Sequence, residues 1–523
     1  MPLIAAATES VNPCNGIYCD GWKQDLQFGR SERRCAFAMP TLAGVANSSM
    51  SENNTVAKAL DDAPLGLFHL RAVLISGLGF FTDAYDLFII GAALVLVKEE
   101  WHLSSTMVGL VGATTLFANF IGALVFGRLA DVLGRKKLYG LVATIMSVGA
   151  ILTALSPSIY WLIAFRFLLG LGIGGDYPIS AVIMSEYANV KDRGKLVGMV
   201  FSMQALGLIA GPMVAITLLA SGINHDLAWR IMLGLGALPA MSVIYARRKM
   251  PESPRFQAQV LGRQGMAAQQ LRDYTQGQVQ AVDIDSQGVG SRLTFGQFIH
   301  DRRTLLTLIG TAGTWFLFDY AYYGNSISTP LIMKMIAPHT SLIQSEAWAL
   351  IIFAIAAVPG YALAVAKVDK LGHRRVQLLG FIVMGLSFLA MGIIPDLTSV
   401  LIPFLGLYGL SYFFAEFGPN TTTFILSAEL YPVSMRTTAH GISAGVAKIG
   451  AFIGVFLFPI LSKGLGLSGT FIITFVFSAL GALLTLVLPE PANQSMESLA
   501  SAAVKGLETT TKKTKTPIHG MAH

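Results

Sequence analysis

Residues 174–187 read Gly-Gly-Asp-Tyr-Pro-Ile-Ser-Ala-Val-Ile-Met-Ser-Glu-Tyr and belong to an apolar stretch long enough to cross a membrane. A carboxylate in hydrocarbon costs roughly 2.5 to 3.5 kcal/mol on insertion scales, so Asp176 marks a place where charge has a use. Asp83 and Asp86 stand three apart in an earlier apolar run, on one helical face. Arg166, Asp319, Glu416 and Lys448 are embedded in apolar runs in the same way. Trp315, Asp319 and Tyr323 recur at intervals of four, which on a helix keeps them within about 80° of one another. An indole donor, an anionic acceptor and a phenol on one stripe can hold a small, polar, hydrogen-bonding solute. Gly418-Pro419-Asn420 would open a helix ladder, because proline lacks a backbone N–H and glycine loosens what remains. Gln204 stands alone among apolar residues and serves either as a contact between helices or as one more donor. This is the chemistry of recognition and of moving protons. Nothing in the sequence has the pattern of a nucleotide loop, a metal-ligand cluster or a nucleophile with its base, so neither an enzyme nor a cofactor is expected. The nine histidines are scattered and have no zinc-like spacing.

The elements that must position these groups are membrane helices. Of 523 residues 53% are hydrophobic and only 13% charged, against about 25% charged in soluble domains. Apolar runs predict twelve spans, starting near 71, 106, 137, 158, 196, 228, 303, 346, 374, 398, 437 and 468. The expected fold is therefore an all-α polytopic membrane protein. The net charge of +7 is no sign of nucleic-acid binding, because the basic residues cluster in alternate short loops. Arg128, Arg135, Lys136 and Lys137 follow the second span, and Lys191, Arg193 and Lys195 the fourth. Arg247, Arg248 and Lys249 follow the sixth, Lys367, Lys370, Arg374 and Arg375 the eighth, and Arg436 the tenth. The positive-inside rule then places both termini in the cytoplasm. Trp101, Trp161, Trp229 and Trp348 fall at outer ends, as an aromatic belt would. The three cysteines, Cys14, Cys19 and Cys35, all precede the first span, so disulfides play no part in the body. The expected division is a largely disordered leader (1–70), a six-helix half (71–249), a mobile central loop (250–302), a second six-helix half (303–490) and a polar tail (491–523).

The halves repeat. Gly127-Arg-Leu-Ala-Asp131-Val-Leu-Gly134-Arg135-Lys-Lys137 joins spans two and three, and Lys367-Val-Asp369-Lys-Leu-Gly372-His-Arg374-Arg375 joins spans eight and nine. Asp369 follows Asp131 by 238 positions, and Glu429, Arg436 and Asn420 follow Glu186, Arg193 and Tyr177 by 243. These loops, and Pro251-Glu-Ser-Pro-Arg255 after span six, resemble the major facilitator superfamily, in which two six-helix halves rock about a site near the midplane. Asp131, Arg135, Glu186 and Arg193 are expected to form one cytoplasmic gate network, and Asp369, Arg374, Glu429 and Arg436 its counterpart. The spans that carry buried charge are 1, 4, 7, 10 and 11, and helices 1, 4, 7 and 10 line the cavity in that superfamily.

Between about residues 66 and 490 the chain resembles one branch in particular, the phosphate:proton symporters. Phe80-Phe-Thr-Asp83-Ala-Tyr-Asp86-Leu-Phe88, the 174–189 segment, the Trp315–Asp319–Tyr323 stripe and Phe417-Gly-Pro-Asn420 carry the likeness. It implies that Tyr177, Gln204, Trp315, Asp319, Tyr323 and Asn420 contact inorganic phosphate, with Lys448 nearby. It also implies that Asp83, Asp86 and Asp176 handle protons, and Arg166 is expected to hold Asp176 when that residue is ionised. The residue types suit phosphate. The monoanion donates as well as accepts hydrogen bonds, so an ionised Asp319 can accept from its hydroxyl and repel sulfate, which has none. Alternatively Asp319 binds only once protonated. The expected activity is proton-coupled phosphate uptake across a plasma or bacterial inner membrane, with a monomer as the functional unit. The alternatives are a sugar or organic-ion carrier of the same fold, and a phosphate sensor that binds without net transport.

Overall fold

The computed structural model describes residues 56–275, 294–397 and 400–499. Among the described residues ten helices are long and apolar enough to cross a membrane, and counting Arg302–Ile327 and the two parts of the last one separately gives twelve. In the first half these are α1 (Leu67–Glu100), α2 (Thr106–Leu133), α3 (Arg135–Ala154), α4 (Ile159–Tyr187), α5 (Arg193–Ala220) and α6 (His225–Lys249). In the second they are α7 (Arg302–Ile327), α8 (Leu342–Leu371), α9 (His373–Ile393), α10 (Leu401–Glu429), α11 (436–465) and α12 (467–485). The last two run as one helix broken at Gly466, whose φ of +69° turns the chain at little steric cost. The helices start where donors are capped. The Ser104 hydroxyl accepts from the Met107 amide before α2, and Asp301 accepts from the Thr304 amide at 2.8 Å before α7.

The two repeat loops share one construction. Gly134 and Gly372 have φ of +96° and +92° and let the chain reverse with almost no loop between spans. The first amides of the next helix then donate to a distant carboxylate. Arg135 N and Lys136 N donate to Glu252, and His373 N and Arg374 N donate to Glu490. A negative charge at a helix N-terminus meets both the orphan N–H groups and the positive end of the helix dipole. Glu490 follows Glu252 by the same 238 positions as the loop aspartates, so the motif after span six is also part of the repeat. Between the halves, α2 and α11 approach backbone to backbone at Gly127 and Gly441. A Cβ on Gly441 would stand 2.3 Å from the Ala123 carbonyl oxygen, so no larger residue fits without separating the helices.

Two expectations change. The segment before α1 and the start of the central loop are structured. Val56–Asp61, Pro254–Gln259 and Gln264–Tyr274 are helices, and Val56, Leu60, Ala258, Ala267, Ala268 and Leu271 form a small apolar core between them. Arg255 ties this assembly to the C-terminal segment by pairing with Asp61 and, at 2.6 Å, with Glu497. Burial works against ionisation of Glu497, but the Arg255 guanidinium outweighs it and brings that carboxyl down to about 2. Residues 1–55, with all three cysteines, lie outside the described residues. Trp229 is not in an outer belt either. It is fully buried, its indole donates to Glu100 at 3.0 Å, and its ring packs on Trp101, whereas Trp161 is exposed as expected. In α10, as the Gly-Pro pair leads one to expect, the α-helix is not continuous. Glu416–Asn420 form a wide π turn with Gly418 at φ −103°, ψ −110°, the local disruption that Gly-Pro predicts.

Candidate functional site

The buried polar residues of the spans meet at the centre of the molecule. The Tyr177 hydroxyl donates to Asp83 at 2.6 Å, and the Gln204 amide donates to both Asp83 and the Tyr177 hydroxyl at 3.0 Å. Across from them Lys448 donates to Asp319 at 3.0 Å and to the Tyr323 hydroxyl at 3.2 Å. The Lys448 ammonium also sits over the Tyr177 ring, 4.8 Å from its centroid, and so joins the two halves. Trp315 packs against Tyr177 and Phe424. Asn420 donates to the Tyr361 hydroxyl at 2.8 Å, and Tyr361 donates on to Gln204. Asp83, Tyr177, Gln204, Trp315, Asp319, Tyr323, Asn420 and Lys448 are each at most 4% exposed. The structure thus brings all seven residues expected at the ligand into one enclosed cluster, together with Asp83. The four-residue spacing on α7 holds, since Trp315, Asp319 and Tyr323 all face it.

Two charge pairings differ from expectation. Arg166 does not hold Asp176. It forms a two-point pair with Asp86, at 3.1 and 3.0 Å, and donates to the Val111 carbonyl. The partner of Asp176 is Arg247, which reads in sequence as one of three anchoring charges after span six. Its guanidinium folds back into the protein, engages both carboxylate oxygens, the Ile75 and Ser76 carbonyls and the face of Tyr139, and is fully buried. The reason is geometric. Arg247 lies on the last turn of α6, where a long side chain can reach inward along the helix, and Gly79 leaves room beside Asp176.

The gate networks are crossed between the halves. Arg135 pairs with Asp131 at 3.0 Å and with Glu186 at 3.2 Å, as expected within the first half. Arg193, however, binds Glu429 of the second half, and Arg436 of the second half binds Glu186. Arg374 is not in the network; its guanidinium donates to the Leu486 carbonyl. Its place is taken by His373, which stands 3.1 Å from Asp369 and 3.6 Å from Glu429. His373, not Arg374, follows Arg135 by 238 positions, the same offset that relates Asp369 to Asp131. The loop aspartates also cross over. Asp131 accepts from Thr437 N at 3.3 Å and Thr438 N at 2.6 Å, and Asp369 accepts from Gly194 N at 3.0 Å and Lys195 N at 2.7 Å. Each half thereby caps the first turn of a helix in the other, and this face of the molecule is shut. On the opposite side Phe88 of α1 packs edge-on against Phe353 of α8, beside a small cleft lined by Glu346 and Thr329.

Sequence reasoning missed Arg247, Tyr361, Tyr322 and His373. Tyr322 donates to Glu416 at 2.7 Å. It adjoins Tyr323, and the intervals of four that single out Tyr323 pass it by. Tyr361 has no charged neighbour in sequence, and nothing in its apolar run sets it apart.

Comparison with known proteins agrees with this geometry. Residues 72–502 match the family described as sugar (and other) transporter. The chain is 38% identical over 507 residues to the probable inorganic phosphate transporter 1-6 of Arabidopsis thaliana, covering 86% of this chain and 96% of that protein. It is 35% identical over 515 residues to the inorganic phosphate transporter 1-11 of Oryza sativa subsp. japonica, covering 87% and 92%. Among solved structures it is similar to the major facilitator superfamily proton:xylose symporter XylE, with a TM-score of 0.72 at 18% identity over 83% of this chain and 98% of that one. That likeness extends to the fold. A family profile matched over most of the length, twelve crossings in two repeated halves and a sealed polar centre lead to one conclusion: the chain is a multi-pass membrane protein of the sugar (and other) transporter family, with the major facilitator superfamily fold.

Proposed function

We propose that this protein imports inorganic phosphate together with protons by alternating access. The observation that carries the reading is the central cluster, in which two carboxylates, Asp83 and Asp319, share a sealed space with one ammonium, Lys448, and with a set of neutral donors. An anion cannot join two ionised carboxylates there without a large electrostatic penalty. Protons must neutralise at least part of that charge before or as the anion binds, which is coupling by electrostatics. Tyr177, Gln204, Trp315, Tyr323 and Asn420 supply hydrogen-bond donors to phosphate oxygens, and Lys448 supplies the countercharge. Asp319 accepts the phosphate hydroxyl or carries the proton itself. The names of the plant relatives support phosphate as the solute.

Among the acidic residues of α1 and α4, Asp83 has no arginine partner, whereas Asp86 and Asp176 are held by Arg166 and Arg247. Asp83 is therefore the one of these three carboxylates that no guanidinium holds, and the two arginine pairs hold theirs until the halves move. The crossed cytoplasmic pairs favour a carrier over a fixed sensor, because they are contacts that rocking of the halves would break and remake. The proposed setting is the plasma membrane, or the inner membrane of a bacterium, with both termini in the cytoplasm and a monomer as the working unit. Uptake of labelled phosphate into proteoliposomes with and without an inward proton gradient tests the reading. Gradient-driven uptake is expected, with Asp319→Asn lowering it at least a hundredfold, about 3 kcal/mol of lost stabilisation. Specific phosphate binding without any uptake would favour the sensor, and neither binding nor uptake would favour a sugar or another organic solute.

A further inference from the structure

Glu416 opens the wide turn of α10 and is fully buried. One carboxylate oxygen accepts from the Tyr322 hydroxyl at 2.7 Å, and the other accepts from the side-chain amide of Asn420. The Thr421 hydroxyl donates to the Glu416 carbonyl at 2.7 Å and fixes the turn that sets residues 416 and 420 side by side. The elements packed around it bring neutral groups. They are Tyr322 from α7, Tyr361 from α8 and Tyr412 from the preceding turns of α10. Asp319 of α7 is occupied by Lys448, and Glu429 at the far end of α10 by Arg193. The basic residues of α9, His373, Arg374 and Arg375, lie at its cytoplasmic start. Among the described residues no ion pair reaches Glu416, so a proton gained or lost there changes the charge of the site instead of merely exchanging partners.

The neighbouring amide explains what that charge does. Asn420 Nδ2 has two protons. One goes to Glu416 and the other to the Tyr361 hydroxyl at 2.8 Å. With Glu416 ionised the amide has no proton left for a ligand. We propose that Glu416 is a second proton carrier of the transport cycle and acts by holding or releasing Asn420. The inference rests on the phosphate:proton reading and adds a residue to it. A proton arriving on the Glu416 oxygen converts a strong, charged acceptor into a weak one, and the Asn420 N–H turns to a phosphate oxygen. When phosphate leaves on the cytoplasmic side, the proton leaves to water and the amide returns to the carboxylate. No bond other than O–H is made or broken, and one proton crosses with each passage.

The test uses the full chain in proteoliposomes. Glu416→Gln is neutral at every pH. It is expected to transport one proton fewer per phosphate, as read from the reversal potential, and to lose one limb of the pH profile. A melting curve in detergent within a few degrees of the parent shows that the variant is folded. Unchanged stoichiometry and an unchanged pH profile would overturn the proposal. Tyr322→Phe keeps the carboxyl but removes a donor to its ionised form, so the midpoint of the pH profile should move upward, and a midpoint that stays put also counts against Glu416. A wild-type protein that moves no phosphate, or moves it without protons, would refute the parent reading and this one with it. Failure of the variants alone would refute only this one.

Discussion

Asp131→Asn should loosen the cytoplasmic side by an amount that can be worked out from its contacts. Asp131 receives three hydrogen bonds from the other half, from Thr437 N at 3.3 Å, Thr438 N at 2.6 Å and the Thr438 hydroxyl at 2.7 Å. The amide side chain keeps an acceptor oxygen but loses the charge. Hydrogen bonds to charged groups contribute about 1.5–3 kcal/mol and neutral ones about 0.5–1.5, so the two bonds from Thr438 lose about 1 kcal/mol each and the bond from Thr437, which then faces the amide NH2, is lost, at least about 3 in all. The shut state should then lose about a hundredfold against the state open to the cytoplasm. All three native cysteines lie before the first span, so a variant with them replaced by serine can report through one introduced thiol. Ile425→Cys suits, being fully buried on α10 between Phe424 and Glu429. Alkylation from the cytoplasmic face should be near background with Asp131 intact and rise by one to two orders of magnitude in Asp131→Asn. Asp369→Asn, its symmetric equivalent, should do the same. A rate within about twofold of the parent in both variants would refute the idea that these caps hold the halves together.

Further tests concern stability. Asp86→Asn leaves the Arg166 guanidinium buried without its carboxylate and should cost about 3–5 kcal/mol. A melting curve in detergent would show it, with partial recovery on adding Arg166→Gln. The Arg255–Glu497 tie should be insensitive to pH in the neutral range. Glu497 has its carboxyl lowered from 4.5 to about 2, so its contribution is complete above the unfolded value and is lost as pH falls through about 2. The protection factors of the 255–259 amides, corrected for the intrinsic exchange rate, should therefore fall only in that acid range, and a loss of protection near neutrality would exclude Glu497 as the latch.

Much of this was legible in the sequence because hydrocarbon makes charge rare. Each of Asp83, Asp86, Arg166, Asp176, Asp319, Glu416 and Lys448 interrupts an apolar run, so position alone singles it out, and helical periodicity gathers Trp315, Asp319 and Tyr323 on one face. The twelve crossings follow from the same contrast. What escaped was pairing. Arg247 sits where an anchoring charge belongs, and only the inward path of its side chain reveals its partner. Tyr361 is as apolar in sequence as the residues around it. The exchange of Arg193 and Arg436 between halves depends on which helix ends meet, which no periodicity records. The helices at 254–259 and 264–274 fall in a polar, Gln-rich stretch whose stability comes from packing on Val56 and Leu60, far away in sequence.

The crossed caps also bear on how such a chain could arise. Asp131 on Thr437 and Thr438 is the image of Asp369 on Gly194 and Lys195 under the internal two-fold relation. A contact that is its own image under a two-fold axis is the isologous contact of a symmetric dimer, in which one sequence supplies both sides. Two identical six-helix subunits would make both caps with a single aspartate and a single helix end. Fusion into one polypeptide then requires no new contact at the closed face, and leaves each copy free to diverge where symmetry is of no use, as Lys448 and Asp319 have in the centre.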